Sequence, residues 1–233
     1  MDFYVTSEGN CSYKENATVK KLFTIADTNN CDCFQIYNLF YNGFRRDHNY
    51  IYIPKCENCN ECKSLRVNVS KFKPSRTQQK IYNRLNKKIY VTITNDITSS
   101  HYNLFINYEN NRHIGSEMGL MKYNEFCEMV KTSPIDTHLY EFRACENDEL
   151  KGCMLIDNTP LGLSAVYSFY DTKNPKESLG TFMILKMIEW SKKLEFNHFY
   201  LGYYVKNSKK MGYKANFKPY ELFIKNNWQE IQD

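Results

Sequence analysis

Three thiols at a regular interval, Cys56-x-x-Cys59-x-x-Cys62, are the residues whose type and spacing most directly suggest chemistry. Two residues between successive cysteines let their sulfurs converge on one ion, as in tetrahedral zinc and iron–sulfur centres; spacing alone does not choose between these. Cys11 is the nearest fourth thiolate and Cys31 and Cys33 are competitors, while the plain alternative is a turn of reduced surface cysteines. The chain has nine cysteines, an odd number, and its start, MDFYVTSEGN, lacks the basic-then-apolar layout of an export signal. A complete disulfide framework is therefore not expected, and the expected location is cytoplasmic. Cys127, Cys145 and Cys153 fall within predicted elements, where a buried free thiol is the default.

The second constellation is cationic. From Lys63 to Lys88 the chain carries nine Lys or Arg, among them Lys71, Arg76, Lys80 and Arg84, and no acid. Such a density repels itself unless a polyanion lies against it, so nucleic-acid contact is the expectation and a soluble basic face the alternative. The imbalance is regional: residues 1–90 hold 15 Lys or Arg against 8 Asp or Glu, whereas residues 91–233 hold 16 against 18. Phe72 and Tyr82 could stack on unpaired bases or simply pack in a core. At Glu177-Ser178-Leu179-Gly180-Thr181 a glycine in the first turn of a helix allows close approach of a ligand or a backbone, beside amides that attract anions. Gly202, inside the aromatic strand Tyr200–Val205, suggests a bulge, a bend or a close approach.

These residues need elements to hold them. Residues 77–88 have a helical period, 89–94 strand composition, and 101–113 and 123–131 further helical patterns. Three strands are expected at 138–144, 152–157 and 162–171, then a largely buried helix starting after Ser178 as N-cap, and a strand at 198–205. The order predicts an α+β fold in a domain spanning 76–233, preceded by an irregular, cysteine-bearing module over 1–75. With 42% hydrophobic residues, 19 Tyr and 15 Phe, a mostly disordered chain is excluded, and no apolar run approaches the roughly 18 residues of a membrane span.

The motifs assemble in a recognisable order: Cys11-Ser12-Tyr13; Gly43-Phe44-Arg45-Arg46; Tyr52-x-Pro54-x-Cys56-x-x-Cys59-x-x-Cys62-x-x-x-Arg66; Phe72-x-Pro74-Ser75-Arg76; Glu141-Phe142-Arg143; Leu163-Ser164-Ala165-Val166-Tyr167-x-Phe169-Tyr170-Asp171; Ser178-Leu179-Gly180-Thr181; Tyr200-Leu201-Gly202-Tyr203; and Met211-x-Tyr213-Lys214. In these blocks the chain resembles the bacterial leucyl-tRNA–protein transferases, relatives of the eukaryotic arginyl-tRNA–protein transferases.

The resemblance implies an N-acetyltransferase-like mixed sheet and transfer of leucine from leucyl-tRNA to proteins beginning with Asp or Glu, marking them for degradation by the N-end rule pathway. It implies no cofactor for the chemistry itself and no membrane partner, while zinc or an iron–sulfur cluster could sit on Cys11, Cys56, Cys59 and Cys62. The site expected from it takes Arg45, Arg46, Arg143 and Lys214 for the acceptor's carboxylate. Lys71, Arg76, Lys80, Arg84, Ser178 and Gly180 are expected to hold tRNA, and Tyr167 or Tyr203 to transfer protons or stabilise an oxyanion. Arginine as the transferred residue, a non-enzymatic metal-held RNA-binding protein and an acetyl-CoA-dependent acetyltransferase are the alternatives.

Overall fold

Ser75 starts the basic helix: its hydroxyl accepts from the Gln78 amide at 3.2 Å while the Gln78 side chain accepts from the Ser75 amide at 2.9 Å. This reciprocal cap satisfies two donors that a helix start otherwise leaves unpaired. The computed structural model describes residues 1–26 and 33–231. Along them run β1 (Tyr4–Val5), β2 (Gly9–Asn10), β3 (Thr18–Val19), β4 (Lys21–Ile25), α1 (Cys33–Tyr41), β5 (Arg45–Asp47), β6 (Tyr50–Pro54), β7 (Lys63–Asn68), α2 (Arg76–Leu85) and β8 (Ile89–Thr94). There follow α3 (Ser99–Arg112), α4 (Tyr123–Lys131), β9 (Thr137–Ala144), β10 (Leu150–Thr159), β11 (Gly162–Tyr170), α5 (Leu179–Lys193), β12 (His198–Tyr204), β13 (Tyr220–Ile224) and β14 (Asn227–Glu230).

Eight strands form one mixed sheet in the order β14-β13-β7-β12-β11-β10-β9-β8, which is the expected α+β class. Neighbours are antiparallel apart from β11 and β12, whose parallel pairing requires the crossover that α5 supplies. One face of the sheet packs on α5, where Phe182, Met183 and Met187 meet Leu65, Phe142, Ile156 and Phe199. On the other face Phe105 of α3 and Phe126 of α4 cover Leu139, Leu155 and Phe169. Each such fully buried side chain contributes about 1.5–3 kcal/mol. Among the described residues no helix is long and apolar enough to cross a membrane.

The N-terminal part is more regular than its sequence suggests. It builds a four-stranded sheet, β1-β4-β6-β5, with α1 packed on it through Ile36 and Phe40. Its strand β7 lies inside the large sheet, between β13 and β12, so that sheet draws on residues from both sides of position 75. Strands this short leave too few residues for a period to emerge. The expected cap of α5 also differs: Ser178 precedes the helix, but with φ 57° and ψ 43°, and its side chain makes no capping bond. Cys31 lies outside the described residues.

Candidate active site

The parallel ladder between β11 and β12 is confined to Leu163 with Phe199 and Ser164 with Tyr200. Gly162 permits the approach: its φ is +132°, and a Cβ there would stand 2.2 Å from the His198 carbonyl oxygen. Beyond the ladder each strand carries an extra residue, Val166 against Leu155/Ile156 of β10 and Leu201 against Leu65/Arg66 of β7. A bulge bends its strand and re-aims the side chains that follow. Leu163 and Ala165 thus join the core on the α5 side, whereas Tyr167 and Phe169 join the cluster under α3 and α4. Tyr167 and Tyr203, each three residues past the last paired position, flank the place where the strands part. The Tyr167 hydroxyl donates to Glu109 of α3. The Tyr203 hydroxyl is shared between the Tyr52 carbonyl at 2.9 Å and the Gly43 carbonyl at 3.2 Å.

Beside Tyr203 two buried cations, Arg45 and Lys214, have no carboxylate at ion-pair distance among the described residues, although Asp157 feels the charge of Arg45 at longer range. Arg45 of β5 is 6% exposed; its Nη1 donates to the carbonyls of Phe44 at 2.5 Å and Phe40 at 3.2 Å, but among the described residues Nε and Nη2 have no hydrogen-bond partner. Its guanidinium lies 5.1 Å from the centre of the Tyr200 ring. Lys214 is 7% exposed and donates to the Tyr203 carbonyl at 2.7 Å. Burial, and then the charge of Arg45, push its ammonium down to about 7. Glu221, on the neighbouring strand β13, is taken by Arg66 at 2.5 Å and His198 at 3.6 Å. Gly202, at φ +76° in the bulge of β12, takes a backbone conformation that favours glycine and passes close to Lys214 Nζ. Buried charges are ordinarily paired, so the arrangement is complementary to a carboxylate supplied from outside.

The other two cations expected there are already neutralised. Arg46 grips Asp157 with Nε at 2.9 Å and Nη2 at 2.7 Å, both side chains being almost wholly buried. Arg143 bonds Glu141 at 2.8 and 2.9 Å, and His101 holds the same carboxylate at 2.6 Å. Their forks are committed to carboxylates within the fold, unlike the cationic groups of Arg45 and Lys214. Arg46 lies next to Arg45 on a strand and so points to the opposite side, into the sheet.

At the start of α5 the first turn holds no acid, and the amides of Leu179, Gly180 and Thr181 precede the first helical bond, from Phe182 to Ser178. They border a cavity of about 600 Å³ that also meets Arg112 and Lys173. A Cβ on Gly180 would stand 2.9 Å from the Tyr170 ring. Arg84 of α2 donates to the carbonyls of Lys176 and Glu177, tying the basic helix to this cavity. Arg76 and Lys80 are exposed, whereas Lys71 pairs with Glu230 at 2.8 Å. Arg76, Lys80 and Arg84, spaced four apart, share one face of α2, and Arg84 reaches the segment just before α5.

The cysteines give a different outcome. Cys11, Cys56 and Cys59 lie close enough for their charges, after burial, to help push the Cys62 thiol up to about 11. Yet among the described residues no three His, Cys, Asp or Glu side chains are set as a coordination shell. The residue that sequence reasoning missed is Glu109, four positions after Phe105 on the buried side of α3; that spacing was its one signal.

The arginine-tRNA-protein transferase C terminus matches residues 100–224, and the N terminus of the same family matches residues 9–80. An aspartate/glutamate leucyltransferase from Ruegeria sp. (strain TM1040) is 39% identical over 233 residues, covering 99% of this chain and 84% of the relative. Another, from Polynucleobacter asymbioticus, is 33% identical over 236 residues, covering 99% and 94%. Among solved structures, the C-terminal domain of a protein described as a lysylphosphatidylglycerol synthetase from Agrobacterium fabrum is similar in fold, with TM-score 0.52 and 12% identity over 84% of this chain and 63% of that one.

Proposed function

We propose, from the premise that this chain belongs to the aspartate/glutamate leucyltransferase family, that it moves leucine from leucyl-tRNA to the α-amine of proteins beginning with Asp or Glu, with the acceptor's side-chain carboxylate seated on Arg45 and Lys214. The observation that carries the reading is this pair of buried cations with no carboxylate at ion-pair distance among the described residues, set where β11 and β12 part. In the reaction the acceptor nitrogen bonds to the ester carbonyl carbon, and the carbon–oxygen bond to the terminal ribose breaks. The proton lost by nitrogen ends on the ribose oxygen. A free α-amine has a pKa of about 7.7–8.0, so roughly a tenth is neutral at pH 7, and the ester is already activated. Holding the two reactants together supplies up to about 7–11 kcal/mol of the barrier.

The parting strands over the start of α5 support an N-acyltransferase-type arrangement, with the carrier's 3′ end at the α5 amides and its phosphates along α2. Helix amides favour anions, and the face of α2 that carries Arg76 and Lys80 also carries Arg84, which reaches the segment just before them. Two tests follow from this division. Purified protein with leucyl-tRNA should add one leucine to Asp- and Glu-initiated peptides and none to an Ala-initiated peptide, read by mass. Absence of the first product, or equal transfer to all three, removes the reading. Secondly, the double substitution Arg76→Ala/Lys80→Ala should weaken leucyl-tRNA binding and reduce the slope of log affinity against log salt by about 1.5, at roughly 0.7–0.9 for each phosphate no longer neutralised. An unchanged slope removes α2 from the tRNA site.

A further inference from the structure

Opposite the cations, the other strand leads to a buried anion. Glu109 is 1% exposed, and its two carboxylate oxygens accept the hydroxyls of Tyr167 and, at 2.9 Å, Ser116. Among the described residues no Lys, Arg or His nitrogen reaches it at ion-pair distance; His113 feels its charge only at longer range. A carboxylate kept from water by neutral donors alone retains an uncompensated charge, an arrangement that costs folding energy. Tyr167 stands in front of it, half-buried, where β11 leaves β12. A phenolic oxygen donates one proton and accepts others, so Tyr167 can take a proton on one side while giving its own to Glu109.

We propose that Glu109, acting through Tyr167, takes up the proton that the acceptor's nitrogen sheds during transfer. As nitrogen bonds to the carbonyl carbon, its proton passes to the Tyr167 oxygen and the Tyr167 proton passes to Glu109. When the carbon–oxygen bond breaks, both transfers reverse, the proton ends on the ribose oxygen, and the dyad is restored. Tyr167 is the group that touches the reacting nitrogen, and Glu109 is a positioning residue behind it. Burial and the hydrogen bond to Glu109 push the Tyr167 phenol far up, which disfavours a standing tyrosinate and suits passage through the neutral phenol. The relay rests on the reaction assigned above, whose own test is transfer by the wild-type protein.

Glu109→Gln keeps the size and a hydrogen-bond acceptor for Tyr167 but removes the basic charge. It should lower kcat about 100-fold or more, within the range of roughly 10²–10⁴ for general acid–base groups. The KM for an Asp-initiated peptide and the affinity for leucyl-tRNA should stay within about threefold. Tyr167→Phe should cost a similar factor, and the double variant little more than either single one, because members of one relay are not additive. A Glu109→Gln protein that transfers leucine at more than a third of the wild-type rate, or a double variant whose losses multiply, overturns the relay while leaving the leucyltransfer reading intact. If Glu109→Gln does not fold, Tyr167→Phe decides alone: a kcat within threefold of wild type overturns the relay. Lack of transfer by the wild type overturns both.

Discussion

Arg45→Met lowers kcat/KM for Asp- and Glu-initiated acceptors by about 30-fold to several thousand-fold, while leucyl-tRNA binds as before. The range corresponds to about 2–5 kcal/mol, the usual loss when one partner of a buried charged hydrogen bond is removed. Methionine keeps the aliphatic stem beside Tyr200 and deletes Nε and Nη2, the two atoms that have no hydrogen-bond partner among the described residues. Lys214→Met is expected to have a similar effect on the acceptor, together with a second, opposite signature. The Lys214 ammonium titrates near 7 in the folded protein, well below its ordinary value of 10.5. Between those values the unfolded chain holds a proton that the folded one lacks, so this group makes stability rise with pH from about 7 to 10.5. Below 7 both states are charged and the full cost of burying the ammonium is present. Lys214→Met should therefore raise Tm, most below pH 7, as it removes acceptor use. A variant that keeps its acceptor kcat/KM, or one that loses Tm at pH 6, places the carboxylate elsewhere.

How much of this was legible beforehand depended on range along the chain. α2, β8 and α4 follow from apolar spacing, turn residues and β-branched runs that act within a few residues. β7 does not, because Lys63–Asn68 becomes an interior strand only once β12 and β13, over 130 residues later, arrive on either side. The same limit governed the site. The resemblance singled out the cations in its motifs, but not which of them were already paired: Arg46 meets Asp157 across 111 residues, and Arg143 meets Glu141 across two. Only the Arg143 pairing was visible as strand alternation. Glu109 stayed hidden because its importance comes from Tyr167, 58 residues away. The cysteines show the converse, since a regular spacing read within seven residues did bring the sulfurs near one another.

Arg46 separates a structural cation from a binding one, and Arg46→Ala should unfold the protein more readily by about 3–5 kcal/mol, the usual result of leaving one member of a buried ion pair alone. The guanidinium joins β5 of the small sheet to β10 of the large one, and its Nη1 also donates to the His48 and Thr132 carbonyls, both at 3.3 Å. Asp157 has one further donor, the Thr137 hydroxyl at 2.8 Å, and burial already holds its carboxyl above the ordinary value. Without Arg46 that carboxyl rises further, so the folded variant binds a proton that the unfolded chain has released. Its stability deficit should then grow as pH rises from about 4 to 7, the reverse of a carboxylate that gains from pairing. The paired replacement Arg46→Met/Asp157→Leu removes both charges at similar volume and should recover most of the loss, because an apolar pair is often as stable as a buried ionic one. Denaturant midpoints at pH 5 and 7 read all three proteins, and the acceptor KM of the double variant should match the wild type. A stable Arg46→Ala protein with a raised acceptor KM would instead make Arg46 a binding residue and return it to the site beside Arg45.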